Sequence, residues 1–388
     1  MQTEHVPRVA LLVDTSTGWG RRLIAGVQNY VRKHRAWEIW IEAKGQDEVM
    51  RLPQGWAGDG VIARISTPAM ARHLEESGYP VINVSGIRLR GPSFPRVTVN
   101  DQASARLAVE HFRERGFRNF AYCGPDALPY VAAHRRAFEE EVERLGAVCS
   151  VYEPVRTKAS LAAYEAQVEA LEEWIDALPK PAAVFVWATS RNRQVIEACK
   201  RRGIDIPEDV AVLGGDDDEL LNELTTPPVS GILVPSEQIG YEAAAILDKM
   251  LSKSDEPTPE EVFLDPIGVE TRGSTDTLAI DDPDVSAAVQ YIREHASHPI
   301  QVIDVLRHVP VSRRVLERRF RRLLGRSPAD EIRRIRLASA VRLLVNTELP
   351  IPEVAARSGF GTHQYLARIF GRQYGVSPSE FRNRALGR

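Results

Sequence analysis

Arginine side chains recur at a fixed spacing near the C-terminus of the chain. The residues that repeat 50 positions later are Leu316, Arg318, Phe320, Arg322, Gly325, Ser327 and Pro328, which return as Leu366, Arg368, Phe370, Arg372, Gly375, Ser377 and Pro378. In each copy the Leu and the Phe predict the apolar face of a helix, arginines occupy the other faces, and the glycine ends the helix. Ser312 and Thr362 precede the two helices and are predicted N-caps, whose side-chain oxygens accept a backbone N–H. Because a guanidinium group can contact guanine or bind phosphate, two such helices predict DNA binding.

The early exposed positions of these helices, which we place at 312–323 and 362–372, are the best candidates for contact with bases. The predicted base-contacting residues are Arg313, Arg314, Glu317 and Arg318 in the first helix and His363, Gln364 and Arg368 in the second. We assign Arg321, Arg322, Arg372, Arg382 and Arg384 to phosphates, and we include Ser312 and Thr362 in the same surface. For any single arginine, phosphate contact or simple solvation is the alternative to base contact.

A further helix, from about Ala329 to Asn346, is predicted between the two recognition helices. At 1.5 Å per residue it would span roughly 27 Å. Successive major grooves on one face of a duplex are about 34 Å apart. One chain is therefore expected to contact two successive turns of double-stranded DNA.

The charge of the chain is divided unevenly. Residues 285–388 hold 19 Arg, no Lys and 8 acidic residues, a formal charge of +11, whereas residues 1–284 carry −14. A basic end on an acidic body predicts a polyanionic partner for that end alone. A solvated arginine-rich surface is the alternative, but the charge coincides with the repeat, which favours DNA.

Length and cysteine content restrict the class of protein further. The 388 residues suit two or three domains. Cys123, Cys149 and Cys199 lie far apart, so we interpret them as reduced thiols and expect no disulfide, no metal site and no cofactor. The first apolar run is too short for a signal peptide, and no later run approaches about 20 apolar residues. We therefore expect a cytoplasmic protein with no membrane partner.

Short β-branched runs alternate with amphipathic helical stretches before the basic end. The predicted strands are VALLVD (9–14), WEIWIE (37–42), GVIARI (60–65), PVINVS (80–85), NFAYCG (119–124), AVFVWA (183–188) and VAVLGG (210–215). The helical stretches include 20–33, 102–115, 133–145, 162–177, 191–202 and 236–252. This alternation predicts an α/β domain of two lobes with parallel sheets, in which ligands gather beyond the carboxyl ends of the strands.

A polar, acidic stretch with one proline separates this α/β region from the basic end. We place a linker at 274–284, an α/β domain at 1–273 and an all-α domain with two helix-turn-helix motifs at 285–388.

Two stretches of the α/β region resemble the effector domain of the LacI/GalR repressors, which is similar to periplasmic sugar-binding proteins. They are VTVNDQASARLAVEHFRERGFRNFAYCG (97–124) and GIDIPEDVAVLGGDDDELLNELTTPPVSGILVPSEQIGYEAAAILDKML (203–251). The resemblance covers most of 8–272 and implies a two-lobed, periplasmic-binding-protein-like domain that binds a sugar and forms a homodimer. Because the first strand begins almost at once, no N-terminal DNA-binding headpiece of the LacI kind is expected.

The basic end resembles the DNA-binding domain of the AraC/XylS family. IPEVAARSGFGTHQYLARIFGRQYGVSPSEFR (351–382) carries the family positions in register, with Leu366 where Phe is usual and Gly371 where Lys is usual. The first copy is looser, with Leu306 in place of a helix-packing Ala and Pro310 in place of a turn Gly. A LacI-like body followed by an AraC-like end is similar to the XylR-type regulators of xylose operons. This order implies a sugar-responsive transcriptional regulator, which we expect to be an activator that works with RNA polymerase.

The resemblance assigns ligand contacts to polar side chains at strand ends. Sugar hydroxyls pair with carboxylates and guanidinium groups, and an aromatic ring stacks on the apolar sugar face. Asp216 matches the ligand-binding Asp of the LacI-like family. Arg135 lies close to the ligand-binding Arg, with His134 or Arg136 as the alternative after a slip of one residue.

Four further ligand candidates follow two of the predicted strands. Trp19 and Arg21 follow the first strand, and Trp187 and Thr189 follow AVFV. Either tryptophan is alternatively a packing residue, and Arg21 alternatively holds a helix end or an ion pair.

Two departures from the XylR-type pattern bear on the ligand. Thr189 and Arg64 stand where the xylose regulators carry Asp. Xylose is the default effector, and a uronate is the alternative hypothesis, with Arg64 and Arg135 binding its carboxylate. Sugar binding is expected to close the cleft and thereby change the geometry of the dimer on DNA.

Functions of other classes find little support. The chain contains no P-loop, no G-x-S-x-G, no H-E-x-x-H and no G-x-G-x-x-G after the first strand, so we do not expect an enzyme. The remaining alternative is a ligand-independent DNA-binding protein whose N-terminal domain serves only dimerisation.

Overall fold

Two six-stranded sheets form the N-terminal body in the computed structural model, which describes residues 5–45, 49–124, 129–152, 161–252, 257–277, 279 and 282–385. Each sheet is covered on both faces by helices, and each face has its own apolar cluster. Strands that are apolar on both sides require this arrangement. The two-lobed α/β prediction is therefore confirmed.

The first lobe is built on a sheet in which all neighbouring strands are parallel. Its strands are β1 (Arg8–Leu12), β2 (Glu38–Ile41), β3 (Gly60–Ala63), β4 (Val81–Asn83), β5 (Arg96–Val99) and β11 (Glu261–Leu264), in the order β11-β5-β4-β3-β1-β2. Its helices are α1 (Gly18–Lys33), α2 (Pro68–Ser77) and α8 (Ser236–Leu251). Helices α1 and α8 approach closely at Gly240, where an added Cβ would lie 2.0 Å from the carbonyl oxygen of Leu23.

The second lobe has the strand order β12-β10-β9-β8-β6-β7, and only β12 is antiparallel to its neighbour. Its strands are β6 (Asn119–Cys123), β7 (Cys149–Tyr152), β8 (Ala182–Val186), β9 (Val210–Gly214), β10 (Ser230–Leu233) and β12 (Gly268–Glu270). Its helices are α3 (Asp101–Glu114), α4 (Pro129–Glu143), α5 (Leu161–Ala177), α6 (Thr189–Arg202), α7 (Glu219–Glu223) and a 3-10 helix at Gly273–Thr275.

Within the described residues the chain passes between the lobes after β5, after β10 and after β11. Both sheets therefore contain strands from distant parts of the sequence. Such crossings leave the two lobes joined by short segments and separated by a cleft, which is the usual place for a ligand in folds of this kind.

The C-terminal domain consists of helices alone. They are α9 (Pro283–His295), α10 (Val302–His308), α11 (Arg313–Leu324), α12 (Pro328–Asn346), α13 (Ile351–Arg357), α14 (His363–Tyr374) and α15 (Pro378–Ala385). The first unit comprises α10, α11 and the start of α12, and the second comprises α13, α14 and α15. Leu316 and Phe320 lie in the core of the first unit, and Leu366 and Phe370 lie in the core of the second. The all-α domain with two helix-turn-helix motifs is confirmed.

The sequence patterns found some strands and missed others. All seven predicted strands are present, with ends within a few residues. β5, β7, β10, β11 and β12 were not predicted, because they have only three or four residues and several carry polar or exposed positions. Such runs lack the continuous apolar character that marks a central strand.

Both ends of the predicted linker at 274–284 belong to packed structure. Ser274 and Thr275 are fully buried against the second lobe, and the Ser274 hydroxyl donates to the Val212 carbonyl at 2.6 Å. At the other end Asp282 caps α9 by accepting from the Val285 N–H at 3.2 Å. The polar composition of 274–284 had predicted a linker over this whole stretch, but Ser274, Thr275 and Asp282 are buried in packed structure.

Candidate functional site

The ends of the two recognition helices are set by the residues that the repeat singles out. The Thr362 hydroxyl accepts the Tyr365 N–H at 3.3 Å, so its predicted capping role is confirmed. Ser312 makes no side-chain capping hydrogen bond, so the same prediction is wrong for Ser312, whose exposed position leaves the first amides of α11 to solvent. Gly325 and Gly375 end the helices with φ of +71° and +73°, a left-handed conformation that favours glycine.

The predicted DNA contacts form an exposed basic surface on α11 and α14. The exposed residues among them are Arg313, Arg314, Arg318, Arg321 and Arg322 on α11 and His363, Gln364, Arg368 and Arg372 on α14. Glu317 is partly buried and pairs with Arg313, whose Nε lies 2.9 Å from the carboxylate. The guanidinium group of Arg368 lies 5.2 Å from the centroid of the Tyr365 ring. This contact fixes Arg368, which lies in the middle of α14, on the exposed side of that helix.

Two arginines of the same region are used within the protein. Arg319 pairs with Asp282 and Asp284, at 3.3 Å and 2.8 Å, and so fixes α11 against the start of α9. Arg382, which we had assigned to phosphate, donates to the Leu344 carbonyl at 3.2 Å and joins α15 to α12. The side chain of Arg384 lies outside the described part of the chain.

The connecting helix α12 has 19 residues, about 28 Å at 1.5 Å per residue. Arg336 fixes it to the end of α9 by donating to the carbonyls of Ala296, His298 and Ile300, at 2.8, 2.8 and 3.2 Å. The two recognition helices are therefore held at the ends of one continuous, laterally braced helix.

Replacing the two N-caps is expected to have unequal effects. Thr362→Ala removes a hydrogen bond to the start of α14 and is expected to destabilise that helix by about 1 kcal/mol. Ser312→Ala removes no such bond and should change the stability of α11 little. Hydrogen exchange of the amides in the first turns of α14 and α11 measures both. Equal acceleration in the two variants would contradict the difference between the caps.

At the first lobe's edge of the cleft, a guanidinium group lies between a carboxylate and an indole. Arg64 follows β3, and its nitrogen is 3.7 Å from the buried Asp14 carboxylate, which also accepts the Thr17 hydroxyl. The Arg64 guanidinium is 5.7 Å from the ring centroid of Trp19. The structure thus brings Trp19 and Arg64 together, and it adds Asp14, which the sequence analysis had missed.

Arg21 braces the loop from which it extends. Its guanidinium donates to the carbonyls of Thr15 and Ser16 at 3.1 and 2.9 Å, and the residue is exposed. These bonds correspond to the alternative in which Arg21 holds the beginning of a helix. They keep the loop after β1 in one conformation.

In the second lobe, Asp216 and Thr189 form one polar group at the ends of β9 and β8. Both the N–H and the hydroxyl of Thr189 donate to Oδ1 of Asp216, at 3.0 and 2.8 Å. Burial raises the pKa of Asp216 to about 6, and the bonds from Thr189 oppose this rise only in part. The arrangement orients the second carboxylate oxygen and makes Asp216 an acceptor of hydroxyl groups near neutral pH.

The three neighbouring candidates on α4 differ in burial. His134 is buried, its Nδ1 lies 2.9 Å from the Tyr122 hydroxyl, and burial lowers its pKa to about 4. Arg135 is partly buried with its Nε 3.5 Å from Glu139, and Arg136 is exposed. His134 is thus a neutral core residue, which leaves Arg135 as the partly accessible cation.

Trp187 is partly buried after β8 and packs against an apolar cluster of the second lobe. Its partial exposure at a strand end is compatible with stacking on a sugar, while its packing matches the alternative of a structural aromatic.

Hydrogen bonds between the lobes involve residues that the sequence analysis did not single out. The Gly18 N–H, at the start of α1, donates to Asp218 at 2.8 Å, and Arg22 donates to the Asp217 carbonyl at 2.6 Å. Arg272 holds the Asp217 carboxylate with two nitrogens, at 2.7 and 3.2 Å. The sequence signal for these contacts was the run of three aspartates after β9. Buried carboxylates usually have partners, so this run could have predicted hydrogen bonds or ion pairs at Asp217 and Asp218.

Among the described residues, no group of three or more His, Cys, Asp or Glu side chains could hold a metal ion. In the same part of the chain, no helix is both long and apolar enough to cross a membrane.

Comparison with known proteins covers both domains. Family models match a XylR N-terminal domain at 8–101, a periplasmic binding protein-like domain at 109–275 and a helix-turn-helix domain at 305–384. The chain is 29% identical to the xylose operon regulatory protein of Escherichia coli (strain K12), over 97% of each chain. It is also 29% identical to the protein of that name from Haemophilus influenzae, over 98% of this chain and 99% of the relative.

Solved structures give the same picture. The structure of a xylose-binding transcription activator, xylR, is 28% identical, covers 99% of both chains and superposes with a TM-score of 0.63. A cellobiose complex of the transcriptional regulator CelR, 22% identical, shares the fold of the body, with a TM-score of 0.54 over 69% of this chain and 84% of that one.

A two-lobed effector domain joined to two helix-turn-helix units defines a DNA-binding transcription regulator. This class contains regulators rather than enzymes. The protein is a sugar-responsive, DNA-binding transcription regulator that is similar over its full length to the xylose operon regulators, and it has an AraC-type DNA-binding domain at its C-terminal end.

Proposed function

We propose that the protein activates a sugar catabolic operon in response to D-xylose or a closely related pentose bound in the cleft between its lobes. The observation that carries this proposal is the Asp216 carboxylate, oriented by Thr189 at the carboxyl ends of β8 and β9. The full-length likeness to xylose operon regulators supports it.

Around Asp216 we assign the sugar site to residues of both lobes. The assigned residues are Trp19, Arg21, Arg64, Arg135, Trp187, Thr189 and Asp216. The carboxylate accepts sugar hydroxyls, the arginines donate to sugar oxygens, and the indoles stack on the apolar face. We take 1–273 as the effector and dimerisation domain, 274–284 as the linker and 285–388 as the DNA-binding domain.

For the DNA-binding domain, we assign base contacts to residues in the N-terminal part of α11 and α14. We assign phosphate contacts to the exposed arginines nearer the C-terminal ends of these helices. The assigned surface is Ser312, Arg313, Arg314, Glu317, Arg318, Arg322, Thr362, His363, Gln364, Arg368 and Arg372. The protein acts as a homodimer in the cytoplasm, where sugar-dependent closure changes the spacing of the two DNA-binding domains and promotes contact with RNA polymerase.

A uronate is the second candidate effector, and the charge of Arg64 favours it. Against it, Arg64 already has Asp14 as a neighbour at 3.7 Å, and Arg135 has Glu139 at 3.5 Å. A further anion would have to compete with these two carboxylates, so we favour the neutral sugar.

Thermal unfolding with added sugars tests the effector. D-xylose at 100 times its Kd is expected to stabilise the folded effector domain by about 2.7 kcal/mol and to raise its melting temperature measurably. D-glucuronate and D-galacturonate should have little effect at the same concentrations. Stabilisation by the uronates alone would replace the proposed ligand, and no response to any pentose or uronate would favour a domain that serves only dimerisation.

A further inference from the structure

The two helix-turn-helix units differ in charge at two corresponding positions. With the 50-residue offset, Arg326 of the first unit corresponds to Val376 of the second, and Glu331 corresponds to Phe381. The capping boxes beside these positions are the same, because Ser327 with Asp330 and Ser377 with Glu380 form equivalent pairs of hydrogen bonds. The two differences are therefore local changes within a turn that both units share.

The two side chains at the second position have different surroundings. Phe381 packs on Phe370 of its own unit, with ring centroids 5.1 Å apart. Glu331 is completely buried, and its carboxylate accepts two hydrogen bonds from Arg334, at 3.0 and 2.8 Å, and one from Arg326. An apolar contact within the second unit is thus replaced in the first by a buried ion cluster.

The arginines of this cluster extend beyond the DNA-binding domain. Arg334 donates to the Glu114 carboxylate at 2.9 Å, and Arg326 donates to the Glu114 carbonyl at 2.7 Å. Glu114 is the last residue of α3 in the second lobe, where free carbonyls and the helix dipole favour a cation. Arg118 adds a bond to the Leu323 carbonyl at 3.3 Å.

The second unit contacts the effector domain at a different place. Ile267, between β11 and β12, packs against the apolar cluster of the second unit. This residue lies in a segment that crosses between the lobes. The first unit is therefore fixed to the second lobe itself, and the second unit borders a crossing segment.

We propose that the cluster of Glu331, Arg326, Arg334 and Glu114 docks the first DNA-binding unit on the second lobe and transmits the movement of that lobe to α11. The transmission rests on the proposed function, since it requires that a sugar moves the lobes. The docking itself does not.

The ion cluster is better suited to fixing the orientation of the two domains than to stabilising their contact. Burial would raise the pKa of Glu331, but Arg334 and then Arg326 outweigh it and lower the pKa to about 2. A buried ion cluster contributes less to stability than an apolar core of equal volume, yet it is strongly disrupted when one partner is removed. The ion cluster therefore fixes one orientation of the DNA-binding unit on the second lobe, whereas an apolar contact would permit several orientations.

Glu114→Ala in the full chain tests the docking, with Glu110→Ala as the matched control. Glu110 is an exposed glutamate one turn earlier on α3. Without sugar or DNA, hydrogen exchange of the amides in 326–336 is expected to rise roughly 3- to 10-fold in Glu114→Ala and to stay unchanged in Glu110→Ala. Equal exchange in both variants and the parent chain would overturn the docking.

The coupling between sugar binding and DNA binding is measured on a promoter fragment identified by footprinting. The measured quantity is the ratio of the affinities for this fragment with and without D-xylose. Glu114→Ala is expected to lower this ratio severalfold toward one, and Glu110→Ala should retain it. A retained ratio in Glu114→Ala, despite faster exchange, would overturn the transmission. If the parent chain does not respond to D-xylose, the proposed effector fails, while the exchange result still decides the docking.

Discussion

Asp216→Asn is expected to abolish the stabilisation of the effector domain by D-xylose while leaving the unliganded domain at least as stable as before. Asparagine retains the Oδ1 that accepts from Thr189, so the local structure should persist. It loses the negative charge and one acceptor, and the affinity for the sugar should fall by on the order of 10- to 100-fold, since bonds to charged groups are worth about 1.5–3 kcal/mol. Isothermal calorimetry and thermal unfolding measure the two effects.

The pH dependence of the unliganded protein follows from the same carboxyl group. The pKa of Asp216 is raised in the folded state to about 6 from its ordinary value of 3.8, so the folded protein holds the proton more tightly than the unfolded chain. The stability from this proton is complete below pH of about 4 and is lost as the pH rises through about 6. Asp216→Asn should remove this slope and gain at most about 3 kcal/mol at pH 7.

Asp205→Asn is the control for both measurements, because Asp205 is exposed at the entry to β9, away from the cleft. It should retain the sugar response of the parent chain. If Asp216→Asn also retained the full response, the sugar would have to be bound by other residues.

Arg318→Ala and Arg368→Ala are each expected to weaken binding to the promoter by roughly 5- to 150-fold, corresponding to about 1–3 kcal/mol per lost base contact. The two residues are equivalent in the repeat and exposed on α11 and α14. The double variant should lose approximately the product of the two factors, because the sites are far apart. Fluorescence anisotropy with specific and random duplexes at several salt concentrations measures the losses.

The control for this pair is Arg357→Ala, which removes an exposed arginine of α13 that pairs with Glu353. It should change promoter affinity little. A similar loss on specific and random duplexes in all three variants would mean that these arginines act as phosphate contacts rather than by reading bases.

The sequence predicted best those features that depend on local periodicity. The repeat located α11 and α14 within one or two residues, and Gly325 and Gly375 end them as expected. Strand-end positions brought Asp216 and Thr189 together, because parallel strands end at the same edge of a sheet.

Contacts between distant segments were less predictable. Asp14 became a neighbour of Arg64 only through the pairing of β1 with β3, and Gly18 met Asp218 across the cleft. Glu331 resembles an exposed glutamate at the start of a helix in the sequence, but it is completely buried beside Arg326 and Arg334. Both arginines in turn contact Glu114 at the end of α3. Patterns along one chain do not contain these pairings.

The continuous, braced α12 has a consequence for how promoters are recognised. Because one continuous helix lies between the two recognition helices, binding of one unit is expected to present the other to the adjacent groove at high effective concentration. Neither half of the target then needs strong affinity by itself. Such a protein tolerates degenerate bases within each half more readily than a changed number of base pairs between them.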